Sequence, residues 1–148
     1  MRSKISVIGR HGESLVEALR AAQRADVTWV RGDAYADVAG SEVVVLAEGA
    51  DVGAAARAAA VRAAASVIVV ATARFTSDTA DALEASLFPR PRLFGVAAED
   101  AAPAVDAVLF GRDETFTVAA LCRGELGVED RVETVPARVG RGGLRAIG

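Results

Sequence analysis

Glu42-Val43-Val44-Val45-Leu46-Ala47 is the stretch that decides the fold. It is apolar at consecutive positions, not at alternate ones, and dense in β-branched residues that suit a pleated surface. A strand written this way is covered on both faces. Four neighbours are written alike: Ile5-Ser6-Val7-Ile8, Val27-Thr28-Trp29-Val30, the run Ser66 to Ala71 and Arg92-Leu93-Phe94-Gly95-Val96. Helical patterns separate them. Leu15, Val16, Leu19 and Ala22 form an apolar stripe within a helix expected from Glu13 to Arg24. A short helical turn is expected at Tyr35 to Ala39, and an alanine-rich helix from Asp51 to Ala65. A further helix is expected to open at Ser77 as N-cap, with Asp78 in the first turn, and to close before Pro89 and Pro91. Apolar strands alternating with helices predict a parallel, doubly wound α/β sheet.

After residue 100 the pattern changes. A helix is expected from Pro103 to Phe110, then strands Thr115 to Arg123 and Arg131 to Val139, joined through residues 124–130 as an antiparallel hairpin. The expectation is one Rossmann-like domain over residues 1–148, with a parallel half (1–100) and a helix-plus-hairpin half (101–148).

Composition narrows the function. At 52% apolar residues the chain can fill a core, and a net charge of −3 removes the basic footprint of a nucleic-acid binder. The basic residues are scattered, so no polybasic membrane patch is expected. No stretch is long and uninterrupted enough to span a membrane, and the short run from Met1 to Ile8 does not read as a secretory signal. A cytoplasmic protein is expected. The single cysteine, Cys122, leaves no internal disulfide, and the single histidine, His11, leaves no multi-histidine metal site.

Two stretches resemble the malate/lactate dehydrogenase family. In the first, Lys4 to Gly12 is similar to the family's opening strand and glycine loop, Tyr35 to Gly49 to its third strand with the following loop, and Leu93 to Asp100 to the strand ending in its Gly…Leu-Asp…Arg motif. In the second, Val105 to Leu109, Val118 to Asp130 and Val135 to Gly143 resemble its last helix and hairpin, with Gly-Glu-x-Gly, Asp, Val-Pro and Gly-x-x-Gly in order. The resemblance implies a larger ancestor whose catalytic middle is missing, the two stretches abutting near residues 100–104.

The family's hydride transfer needs a histidine acid/base oriented by an aspartate, and arginines that clamp a substrate carboxylate. The resemblance puts the histidine motif in the missing segment. Asp100 matches the family's aspartate, but Pro103 stands where an arginine is expected. Gly49-Ala50-Asp51-Val52 lacks the mobile-loop arginines, and Ala71-Thr72-Ala73-Arg74 replaces an asparagine-proline pair. A cofactor site for NAD or NADP would use Gly9, Arg10, His11, Gly12, Arg31 and Gly49. The glycine loop keeps Gly9 and Gly12, but Glu13 and Ser14 follow where a third glycine would stand. The second strand ends in Arg31-Gly32-Asp33, where Arg31 suits a 2′-phosphate or Asp33 the ribose hydroxyls. In the plainer alternative Gly9 and Gly12 only make the strand-to-helix turn.

Three candidates for new chemistry are His11, Asp100 and Arg74. His11 reads as a phosphate contact or general acid, or as a solvated loop histidine. Asp100 with Glu99 reads as a carboxylate pair or as a cluster favoured by a helix dipole. Arg74 and Thr72 read as anion contacts or as surface residues, and Cys122 as a packed thiol. Three function classes stay open: a catalytically dead binding or regulatory scaffold, a nucleotide-binding module, and an enzyme with altered chemistry. Loss of the middle segment would expose apolar surface, so a homodimer or a protein partner is expected.

Overall fold

A computed structural model describes residues 3–22 and 25–148. Met1 and Arg2, where the excluded signal would begin, and Gln23 and Arg24, the expected end of the first helix, lie outside the described residues. The element order is β1 (Lys4–Ile8), α1 (Glu13–Ala21), β2 (Asp26–Val30), β3 (Val43–Ala47), α2 (Val52–Arg62), β4 (Val67–Ala71), α3 (Phe75–Ser86), β5 (Leu93–Val96), α4 (Ala101–Phe110), β6 (Glu114–Cys122), β7 (Arg131–Gly140) and β8 (Gly143–Ile147).

Eight strands form one sheet in the order β2-β1-β3-β4-β5-β6-β7-β8. The first five pair in parallel, and β6, β7 and β8 continue the sheet antiparallel from β5. The Rossmann-like α/β expectation therefore holds, and the hairpin extends the sheet. β3 and β4 are buried at every position, as their unbroken apolar sequences require.

Each face has its own core. α1 and α4 cover one face, with Val16, Leu19, Val105 and Val108 packed on Val7, Val45, Val69 and Phe94. α2 and α3 cover the other, with Ala56, Ala59, Ala82 and Leu83 on Ile8, Leu46, Ile68 and Val70. Phe94 is fully buried, which contributes about 2–3 kcal/mol. Alanine on α2 buries little area itself but lets the helix lie close to α3 and the sheet.

Three boundaries differ from expectation for local reasons. α3 begins at Phe75 and not at Ser77, with Arg74 at the N-cap position. The Ser77 hydroxyl does not cap the helix; it donates to the Arg74 carbonyl at 3.3 Å. Asp78 remains in the first turn and accepts the Thr72 hydroxyl at 2.6 Å, tying the helix start to the end of β4. α4 begins two residues before Pro103, which sits in its first turn where no N–H is missed. α2 stops at Arg62 and not at Ala65, with Asp51 as its N-cap accepting the Ala54 N–H at 3.2 Å. β8 has no counterpart among the strands expected from the sequence.

Candidate functional site

In an open α/β sheet, ligands bind outside the carboxyl ends of the strands where neighbouring connections leave on opposite faces. Here that point lies between β1 and β3: α1 follows β1 on one face and α2 follows β3 on the other. The two loops at this point are built from Gly9-Arg10-His11-Gly12 and Glu48-Gly49-Ala50-Asp51.

The first loop is short and tightly bonded. Gly9 has φ +144, and a Cβ there would stand 2.7 Å from the carbonyl oxygens of both Ala47 and Glu48. Gly12 is buried, and its Cβ would meet Val7 Cγ1 at 3.0 Å, so this glycine sets the close packing of α1 on the sheet. The Gly12 N–H donates to the Gly9 carbonyl at 3.1 Å, and the His11 N–H to the Glu48 carbonyl at 2.9 Å. Gly49 lies against Arg10: a Cβ on Gly49 would stand 2.9 Å from the Arg10 main-chain nitrogen. The Glu48 carboxylate in turn accepts the Ala73 N–H after β4.

A pyrophosphate cradle spaces its first and last glycines by four residues, with a middle glycine that lets the backbone approach the ligand. This loop keeps Gly9 and Gly12, but Glu13 and Ser14 follow where a third glycine would stand. The N–H groups of His11 and Gly12 are bonded within the protein, and Glu13 brings a carboxylate to the start of α1. These residues do not fit a dinucleotide laid across the loop. They fit the plainer alternative, a strand-to-helix turn.

The expected cofactor residues are divided between two cavities. Gly9, Arg10, Arg31 and Gly49 line one of about 510 Å³, together with Trp29, Asp33, Tyr35 and Asp51. The Trp29 indole N–H donates to the Gly9 carbonyl at 2.9 Å, and the Arg31 guanidinium lies 4.2 Å from the centre of the Trp29 ring. Burial, then the carboxylates of Asp51 and Asp33, push the Tyr35 phenol above its ordinary range. Tyr35 and Asp51 join the site although neither is among the cofactor residues expected from the sequence. Their only sequence signal is position, each lying just beyond a parallel strand's carboxyl end or its connection.

His11 and Gly12 line a different cavity of about 310 Å³, with Glu48, Glu99 and an apolar floor that includes Ala47, Ala71 and Ala98. Among the described residues no carboxylate is hydrogen-bonded to the His11 ring. Asp100 occupies the N-cap position of α4 without a side-chain capping bond, next to Glu99 in a short 3-10 turn. Arg74 is exposed and borders a third, shallow hollow with Phe75, Thr76 and Val132. The three candidates for new chemistry are therefore not brought together.

Cys122 is fully buried in the core, and burial, then the Glu125 carboxylate, push its thiol up. Glu125 instead closes the hairpin. Its carboxylate pairs with Arg90 at 2.6 Å and accepts the Arg123 N–H at 2.6 Å. Among the described residues no group of three or more His, Cys, Asp or Glu side chains could hold a metal ion. No described helix is long and apolar enough to cross a membrane.

No family model matches the sequence, and no curated protein matches it. Solved structures do resemble the fold. Lactate dehydrogenase from Cryptosporidium parvum matches at a TM-score of 0.88 and 13% identity, over 100% of this chain and 90% of that one. Lactate dehydrogenase from Eimeria maxima, solved with NADH and oxamate, matches at 0.84 and 10% identity, over 99% of this chain and 88% of that one. Malate dehydrogenase from Salinibacter ruber matches at 0.84 and 16% identity, over 98% of this chain and 88% of that one. Nearly the whole chain enters each match, so the likeness includes the C-terminal strands as well as the parallel half. It is a likeness of fold.

Proposed function

We propose that this chain is a non-dehydrogenase binding or regulatory scaffold of malate/lactate-dehydrogenase-like fold, cytoplasmic and homodimeric or bound to a protein partner. One observation carries the reading: the His11 N–H is committed to the Glu48 carbonyl, which closes the loop where a dinucleotide's phosphates would lie. The side chains agree with it. The one histidine has no carboxylate orienting its ring among the described residues, and the expected substrate-clamping positions hold Pro103 and Ala50-Asp51 instead of arginine. A hydride-transfer site needs those groups within hydrogen-bond reach of one substrate. A ligand-binding or partner-binding role needs only the scaffold and a cavity.

The test is a turnover assay with lactate and NAD⁺, and with malate and NAD⁺ or NADP⁺, followed by the absorbance of the reduced cofactor. The expected result is a rate equal to the protein-free blank. Protein-dependent turnover of either hydroxy acid, lost on His11→Ala, would overturn the reading.

A further inference from the structure

α3 leaves the carboxyl end of β4 and runs back along the sheet, so its last turn reaches the amino ends of the parallel strands. β6 runs antiparallel to β5 and ends at the same corner. Arg90 fixes that corner. Its guanidinium donates to the Leu121 carbonyl at 2.9 Å and to the two Glu125 carboxylate oxygens at 3.1 and 2.6 Å. The corner lies at the opposite end of the sheet from the cavities beside Trp29 and His11.

Two leucines stand here in a conformation that leucine avoids. Among the described residues three other than glycine have positive φ: Leu87 at 54, Leu126 at 56 and Asp130 at 48. Leu87 ends α3, where glycine is the usual residue, and Leu126 lies in the hairpin bend between Gly124 and Gly127. The left-handed conformation costs free energy at any residue with a Cβ. Burial within the chain does not offset that cost, because both leucines are exposed. Apolar side chains held by strained backbone and left in water point to a contact made outside the chain.

The charges beside the leucines say what makes that contact. Glu84 stands one turn before Leu87 on α3 and is exposed. Arg123 follows β6, two residues after Leu121 and so on the α3 side of the sheet, and is exposed as well. Among the described residues neither forms an ion pair. On the same bend Glu125 is held by Arg90, and Glu129 lies against Gly124. The helix side of the patch thus offers an unpaired carboxylate and the hairpin side an unpaired guanidinium. In a two-fold contact residue i meets j while j meets i, so such a patch complements itself. A partner of one charge sign would meet repulsion at one border.

We propose that this corner is the contact between two copies of the chain. A two-fold axis sets Leu87 of each copy against Leu126 of the other, and Glu84 of each against Arg123 of the other. The inference rests on the reading that the chain acts through protein contacts, and names the second copy as the partner.

The test is sedimentation velocity of the full chain over a concentration series, with matched thermal melts. The expected result is a reversible dimer with a micromolar midpoint. Leu87→Asn combined with Leu126→Asn should abolish it, since asparagine tolerates the left-handed conformation and is polar. Diluted to monomer, that variant should melt no lower than the unchanged chain. Glu84→Arg and Arg123→Glu should each weaken association about tenfold or more, because like charges then face each other twice. The two reversals together should restore it to within about threefold. Four results overturn the proposal: a monomer at every concentration, an unchanged dimer in the asparagine variant, a lower melting point of that variant as monomer, or a double reversal no tighter than either single one. A monomer with a blank turnover assay sinks this inference alone. Turnover in that assay sinks the scaffold reading whatever the state of assembly.

Discussion

The main-chain N–H of His11 donates to the carbonyl oxygen of Glu48 at 2.9 Å, and the Glu48 carboxylate accepts the N–H of Ala73. One residue therefore joins the loops that follow β1, β3 and β4. The first bond is main chain to main chain and does not use the Glu48 side chain. The second does. Glu48→Ala should cost about 1 kcal/mol by urea denaturation, since a hydrogen bond to a charged acceptor is lost at an exposed site. A loss near zero would mean that water replaces the carboxylate without penalty.

Gly9 and Gly32 separate packing from backbone conformation. Both have positive φ, but a Cβ on Gly9 would overlap two carbonyl oxygens, while one on Gly32 meets nothing within 4 Å. Gly32→Ala should cost about 1–2 kcal/mol, the penalty of the left-handed conformation alone. Gly9→Ala should cost about 3 kcal/mol or more, because the β1 and β3 loops must also move apart. Equal losses in parallel denaturation curves would contradict the tight loop contact.

The Arg90–Glu125 pair makes part of the acid sensitivity. The Arg90 guanidinium and the Arg123 N–H lower the Glu125 carboxyl from 4.5 to about 2. A depressed folded-state value means stability that is present above the unfolded value and lost as pH falls through the folded one. The contribution should fade between about pH 4.5 and pH 2. In Glu125→Gln that segment of the stability-against-pH curve should flatten. An unchanged slope would show that Glu125 titrates at its ordinary value.

Thr79 is fully buried on α3, and among the described residues its hydroxyl has no hydrogen-bond partner. Valine has nearly the same shape and no polar atom to desolvate. Thr79→Val should leave stability unchanged or raise it by about 1 kcal/mol. A loss of about 1 kcal/mol or more in thermal unfolding would reveal a partner for the hydroxyl.

Leu87 is 87% exposed and Leu126 60% exposed, three residues before Arg90 and one after Glu125. The ion pair draws these two segments together. Sedimentation should find a homodimer at micromolar concentration, weakened by Leu87→Asp combined with Leu126→Asp. A monodisperse monomer across a wide concentration range would remove self-association and leave a different protein partner.

The parallel half was legible because its signal is redundant. Val43 to Ala47 and Val67 to Ala71 are buried at every position, and each carries an apolar run that only a doubly covered strand explains. β8 was not legible. Gly143-Leu144-Arg145-Ala146-Ile147 is short, mixed in polarity and only partly buried, as an edge strand can be. The start of α3 differs from the sequence pattern because serine is a strong N-cap by type, yet the Ser77 hydroxyl bonds backward to Arg74. In the site, Gly9, Arg10, Arg31 and Gly49 could be grouped from strand ends alone. That His11 and Gly12 line a different cavity from Gly9 and Arg10 could not, because a cavity is set by how loops distant in sequence meet in space. Residue types show which groups can reach a sheet edge. Whether two loops leave a groove between them is a matter of their contact in space.

The most direct test of the closed loop uses Trp29, the only tryptophan, which lines the larger cavity and bonds Gly9. NADH absorbs where tryptophan emits, so NADH held across this sheet edge would quench Trp29 and take up its excitation. Titration with NADH to millimolar concentration should give only the linear inner-filter loss of emission, with no sensitised NADH fluorescence. Saturable quenching with sensitised emission and a micromolar midpoint would show that the loop opens to a dinucleotide, and would contradict the account.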